Sequence, residues 1–231
     1  MSQPSPARLF VPGVLTSANI VFGFLAMMAA SDGRFDLAVY LLLGAIILDI
    51  LDGRVARILK ATSKFGQELD SFSDALSFGA APAFLVQRSL FPELGSLGVA
   101  VSVSYLLAAV LRLARFNLTS DIHRKARRTL GVPTPIGAGY LMALVLMRDS
   151  VPMVISASIV ALIAVLMVSR LPLPEVAMGR AVAFTLFVGL GTYIAMVLHP
   201  NWYTVGVWNL WNVVILVTAR LTAERTPSAV V

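Results

Sequence analysis

Residues 181–219 read AVAFTLFVGLGTYIAMVLHPNWYTVGVWNLWNVVILVTA and contain no Asp, Glu, Lys or Arg. A helix crosses a bilayer core with about 20 apolar residues, so this run is long enough for two passes. His199, Pro200 and Asn201 supply the turn signal between them. Further apolar stretches lie at approximately 9–31, 36–60, 68–90, 94–117, 133–148 and 150–169, which with 181–198 and 203–221 make about eight. Arg148 and Asp149 mark the split between the fifth and sixth. The whole chain is 58% hydrophobic and 13% charged, well away from a water-soluble domain. The expected fold is an all-α integral membrane protein, because helices satisfy their own backbone polar groups in lipid and barrel strands do not need such long apolar runs. No linker, repeat or low-complexity segment divides the chain, so one membrane domain over residues 1–231 is expected. The first stretch holds Pro12, Thr16, Ser17 and Asn19 and is preceded by Arg8 alone. It reads as a retained helix rather than a signal peptide.

The net charge of +6 is distributed between the spans, which points to topology rather than to nucleic acid binding. Arg8, the group Arg54, Arg57, Lys60 and Lys64, the group Arg112, Arg115, Arg124, Lys125, Arg127 and Arg128, then Arg170, Arg180, Arg220 and Arg225 fall on one side. Arg34, Arg88 and Arg148 fall opposite. The positive-inside rule then places both termini and the 54–64 connection in the cytoplasm. The expected location is a prokaryotic cytoplasmic membrane. Cysteine is absent, which excludes disulfides, thiol chemistry and thiolate-held metals.

Four of the 12 acidic residues, Asp49, Asp52, Asp70 and Asp74, interrupt membrane-length apolar segments. Ionisable groups at that depth are costly and mark function. Asp49 and Asp52 are three apart on the second helix and Asp70 and Asp74 four apart on the third, so each pair shares a face. Four carboxylates in one pocket repel one another unless cations compensate. Hard oxygen donors without Cys or His favour Mg2+ or Mn2+ over Zn2+. Gly53 removes a side chain beside Asp52, Ala56 keeps its neighbourhood small, and Arg57 adds a forked cation suited to phosphate. Gly66 is expected to let the chain turn before the third helix, and Ser63 to donate a hydroxyl to the same ligand.

Residues 49–74, DILDGRVARILKATSKFGQELDSFSD, carry the pattern D-x-x-D-G-x-x-A-R-x8-G-x3-D-x3-D. This resembles the signature of the CDP-alcohol phosphatidyltransferases at every defining position, and the hydropathy pattern extends the resemblance over nearly the whole chain. The resemblance implies transfer of a phosphatidyl group from a CDP-linked lipid to an alcohol, with release of CMP. It implies two divalent metals on Asp49, Asp52, Asp70 and Asp74, with Asp74 also the general base. Gly53, Arg57 and Ser63 match positions that touch the CDP part, and Thr16 and Asn19 on the first helix would add polar contacts to the nucleotide.

The segments ALSFGAAPA (75–83), LRLARFN (111–117) and GVPTPIGAG (131–139) resemble the phosphatidylserine synthase branch of that family. This implies CDP-diacylglycerol and L-serine as substrates, with Arg112 and Arg115 as candidates for holding the serine carboxylate. Anionic lipid headgroups are the alternative ligand for that pair. Another acceptor alcohol (inositol phosphate, glycerol phosphate or choline) and a cation-coupled transporter remain the competing functions. Gly53, Ala56 and Arg57 argue against the transporter, since a cation site has no use for a guanidinium. His123 and His199 lack metal-like partners. Trp202, Tyr203, Trp208 and Trp211 read as an interfacial belt and packing. Gly189, Gly191 and Thr192 suggest close helix packing, with a homodimer seam as the family-level possibility.

Overall fold

The computed structural model describes residues 6–61, 63–119, 129–170, 172–173 and 180–224. Among them are nine α-helices: α1 (Pro6–Ser31), α2 (Phe35–Ile58), α3 (Lys64–Asp74), α4 (Ala81–Ser89), α5 (Gly95–Thr119), α6 (Thr134–Leu146), α7 (Met153–Val168), α8 (Arg180–Leu198) and α9 (Trp202–Glu224). A π turn, Ala75–Ala80, joins α3 to α4 without a break. Eight helical rods therefore stand where the eight apolar stretches lie. Among the described residues one antiparallel bridge stands beside the helices, Thr129 pairing with Leu173 and Leu130 with Pro172. His123, Arg124, Lys125, Arg127, Arg128 and Arg225 lie outside the described residues.

The ends of the rods follow local chemistry. Gly33 turns α1 into α2 with φ of 74°, a left-handed conformation that costs glycine little. Asn201 caps α9, its Oδ1 accepting from Thr204 N–H at 2.9 Å while Asn201 N–H donates to Thr204 Oγ1 at 3.2 Å; this is a reciprocal cap that starts the second pass of the 181–219 run. The split at Arg148 is real: α6 stops at Leu146, and Arg148 Nη1 donates to Asp36 Oδ1 at 2.7 Å, tying the start of α2 to the end of α6.

One expectation is corrected. Gly66 does not turn the chain, because α3 begins at Lys64 and Gly66 lies in its first turn. The reversal is made by Lys60 at φ 51°. Lys60 N–H donates to Arg57 O and Ala61 N–H to Ala56 O, the paired bonds that close a helix on a left-handed residue. Gly66 instead belongs to the cap: its N–H donates to Ser63 Oγ, and a Cβ there would stand 3.2 Å from that oxygen.

α1 packs along α2, α5 along α7 and α8 along α9. Ala26, Ala30, Ala38 and Ala45 are fully buried where α1 meets α2, small residues that let the backbones approach. Trp208 is buried against Tyr140 and Tyr193, with ring centroids 4.7 and 5.5 Å away, whereas Trp202 and Tyr203 are exposed. Gly189 receives Trp211 of α9, so part of the small-residue stripe on α8 serves packing within the chain. The outside is apolar as well: Val14, Phe24, Leu107, Leu162 and Leu210 are all exposed. Val11–Ser31 and Pro92–Leu118 are each long and apolar enough to cross a membrane. A bundle apolar on both its inner and outer faces fits lipid as its solvent.

Candidate active site

α2 carries Asp49 and Asp52 and α3 carries Asp70 and Asp74, and α1 holds both helices in place. Thr16 Oγ1 donates to Asp52 Oδ2 at 2.7 Å, also lying 3.0 Å from Pro12 O in its own helix. Ser73 Oγ donates to Thr16 O at 3.4 Å and Ser77 Oγ to Asn19 O at 3.0 Å. The hydroxyls of Ser73 and Ser77 thus stitch the third rod to the first at the level of the acids.

Asp49, Asp70 and Asp74 each present a carboxylate oxygen within 4.8 Å of the other two. At an effective dielectric of about 20, two unit charges 4.8 Å apart repel by roughly 3 kcal/mol. Three such pairs sum to a sizeable fraction of a typical domain's net stability. Among the described residues no Lys or Arg forms an ion pair with any of them, and the buried Asp74 Oδ1 has no hydrogen-bond partner. Hard oxygens gathered at this spacing, one of them orphaned, fit a divalent cation. Asp52 stands apart from this trio. It is 4% exposed and its Oδ2 is engaged by Thr16.

A cleft of about 1050 Å³ opens beside the trio, with Asp52 and Asp70 in its wall. α1 contributes Pro12, Gly13, Thr16 and Ser17, and α2 contributes Gly53, Ala56 and Arg57. The first turn of α3, with Ser63, Phe65, Gly66 and Gln67, completes it. Among the described residues, and outside its own helix backbone, a Cβ on Gly53 would meet nothing nearer than Arg57 Nη2 at 4.0 Å. Packing among the described residues therefore does not require glycine there, and the position lines the cleft. Arg57 is exposed, and the N-terminal turn of α3 adds partial positive charge to the same space. The cleft therefore runs from a cationic mouth to an acidic floor, which suits a phosphate group carried with a metal. Ser63 Oγ accepts from Gly66 N–H at 3.0 Å as the α3 cap, and its own hydroxyl hydrogen is left for a ligand.

The two arginines of α5 part company. Arg112 is 8% exposed, its Nε has no hydrogen-bond partner among the described residues, and it lies close enough to feel the charge of Asp74. Arg115 instead donates to the last carbonyls of α7: Val168 O at 2.9 Å, Met167 O at 3.3 Å and Ser169 O at 3.2 Å. That is a favourable place for a cation. Thr16 reaches the cleft as expected. Asn19 does not line it; its side chain is fully buried, with both amide atoms unpartnered among the described residues.

Phe65 and Gln67 in the cleft wall were not anticipated, because an amphipathic first turn gives no sign of which neighbours it will face. Nor was the π turn after Asp74, although Pro82, eight residues beyond that aspartate, was the available signal.

Residues 9–171 match the family described as CDP-alcohol phosphatidyltransferase. The chain is 35% identical over 180 residues to the CDP-diacylglycerol–serine O-phosphatidyltransferase of Helicobacter pylori, covering 74% of each protein. It is 30% identical over 166 residues to the protein of that name in Bacillus subtilis, covering 72% of this chain and 90% of the relative. With the protein of the same name in Methanocaldococcus jannaschii the identity is 36% over 161 residues, covering 70% of this chain and 72% of the relative.

Proposed function

Because the chain belongs to the CDP-alcohol phosphatidyltransferase family, we propose that it transfers the phosphatidyl group of CDP-diacylglycerol to L-serine, yielding phosphatidylserine and CMP. The observation that carries this reading is the acidic trio beside a cleft that holds Gly53 and Arg57. Arg57 and the first turn of α3 bind the pyrophosphate, Ser63 donates to it, and the missing side chain of Gly53 leaves room for the nucleotide. Asp49, Asp52, Asp70 and Asp74 are the residues to hold two Mg2+ or Mn2+ ions, which when bound would neutralise the pyrophosphate and stabilise charge on departing CMP.

The serine hydroxyl oxygen forms the new bond to the lipid-side phosphorus as the bridging P–O bond breaks, its electron pair leaving with CMP. Asp74 takes the hydroxyl proton at its unpartnered Oδ1. Arg112, buried and open at Nε, receives the serine carboxylate. Arg115, already engaged by α7, positions the end of α5 beside it.

The same reading has the single domain span a prokaryotic cytoplasmic membrane eight times with both termini in the cytoplasm, where serine and CMP exchange with water. Assembly as a homodimer through α8 also belongs to it; among the described residues nothing outside its own helix backbone lies within 4 Å of a Cβ built on Gly191.

Incubating the purified chain with labelled CDP-diacylglycerol, Mg2+ or Mn2+ and each of L-serine, glycerol phosphate, inositol phosphate and choline tests the acceptor. CMP release is expected with serine. Release with another alcohol and none with serine would replace the acceptor while leaving the reaction class in place.

A further inference from the structure

The helix that carries Asp74 changes character immediately after it. Ala81 N–H donates to Leu76 O, five residues back, closing the π turn Ala75–Ala80. A single π turn takes up one extra residue and rotates the succeeding helix by roughly 100° relative to an unbroken α-helix. That rotation lets Asp70 and Asp74 face the carboxylates of α2 while Ala81, Leu85 and Val86 of α4 face the core. Pro82 stands just beyond the π turn, in the first turn of α4. Proline has no N–H to offer the carbonyl four residues before it, and its ring crowds that carbonyl. The carbonyl in question is Phe78 O, on a residue with no solvent exposure.

Phe78 O is satisfied from another helix. Tyr105 of α5, also fully buried, donates its hydroxyl to Phe78 O at 2.9 Å. Next to it a Cβ on Gly79 would stand 3.3 Å from Ala109 Cβ, so α5 lies directly on the turn. On the other side Ser77 Oγ is bonded to Asn19 O and fills the space beside Gly23. The turn is held from α5 and from α1, one helical turn beyond the proposed base.

We infer that Tyr105 is a positioning residue for Asp74: by supplying the hydrogen bond that Pro82 withholds from Phe78 O, it fixes the π turn and with it the direction of the Asp74 carboxylate. The inference rests on Asp74 acting in the proposed transfer. Tyr105 touches no substrate and acts through backbone alone.

The test compares Tyr105→Phe in two backgrounds, wild type and Pro82→Ala, where residue 82 regains an N–H for Phe78 O. In the wild-type background kcat for CMP release is expected to fall about tenfold with KM for CDP-diacylglycerol unchanged, as for a displaced reacting group. Mn2+ affinity, read by electron paramagnetic resonance without turnover, is expected to weaken in the same variant. In the Pro82→Ala background, Tyr105→Phe is expected to change neither quantity. Wild-type kcat and Mn2+ affinity in Tyr105→Phe would overturn the inference, as would an equal loss in both backgrounds. If Tyr105→Phe alone does not accumulate folded, the double variant decides: equality with Pro82→Ala supports the inference, and a further loss overturns it. A wild-type chain that binds Mn2+ but releases no CMP would count against the transfer reading, and Mn2+ binding would still decide the role of Tyr105.

Discussion

Thr16 Oγ1 and Asp52 Oδ2, 36 residues apart in the chain, lie 2.7 Å apart, so the first helix holds one of the four aspartates directly. A hydroxyl bonded to a buried carboxylate contributes about 1.5–3 kcal/mol. Thr16→Val keeps the shape and removes the donor. It is expected to lower thermal stability by that order and to raise KM for CDP-diacylglycerol several-fold, since Asp52 also forms part of the cleft wall; thermal unfolding in detergent and CMP-release kinetics measure the two effects.

The repulsion among Asp49, Asp70 and Asp74 makes metal a stabiliser. A ligand at about 100 times its Kd adds roughly 2.7 kcal/mol to the folded state, so saturating Mg2+ or Mn2+ is expected to raise the melting temperature of the wild type and chelator to lower it. Asp49→Asn removes one charge from the trio. It is expected to melt higher than wild type in chelator and to lose most of the metal-dependent rise. Paired melting curves with and without metal show both.

At Gly53 stability and activity are expected to move in opposite directions. Gly53→Ala adds helix propensity worth about 0.8–1 kcal/mol, and the Cβ has no near neighbour other than Arg57 Nη2. Melting temperature is expected to rise while KM for CDP-diacylglycerol rises too, because the added group stands in the cleft. Unchanged KM would remove Gly53 from the binding surface.

Arg112 and Arg115 are expected to separate in kinetics as they do in position. Arg112→Lys keeps the charge but loses the fork, and KM for serine is expected to rise about tenfold, the worth of roughly 1.4 kcal/mol, with stability little changed. Arg115→Lys is expected to lower melting temperature through the lost bonds to α7 while leaving serine KM within about twofold.

Much of this architecture is legible in the chain because its causes are local. Apolar runs of bilayer length announce the rods, and the spacings 49/52 and 70/74 place carboxylates on shared faces whatever the tertiary structure. The Asn201 turn is equally local. The features that sequence does not reveal depend on partners distant along the chain. Gly66 reads as a turn because glycine often makes one, yet Lys60 takes the left-handed position and Gly66 serves the Ser63 cap. Arg115 reads as a twin of Arg112 until α7 is packed against α5 and its open carbonyls claim the guanidinium. The π turn beside Pro82 takes its side-chain partners from afar, Tyr105 of α5 donating to Phe78 O and Ser77 donating to Asn19 O of α1.

The central claim is that Asp74 takes the proton of an acceptor hydroxyl as CMP departs. CMP release from CDP-diacylglycerol with L-serine and Mn2+, by the wild type and by Asp74→Asn, tests it most directly, with folding of the variant checked by its melting curve. Serine-dependent CMP release matched by phosphatidylserine is predicted for the wild type, and a fall of about 10²–10⁴-fold in kcat for the variant. Turnover by folded Asp74→Asn at the wild-type rate would contradict the claim.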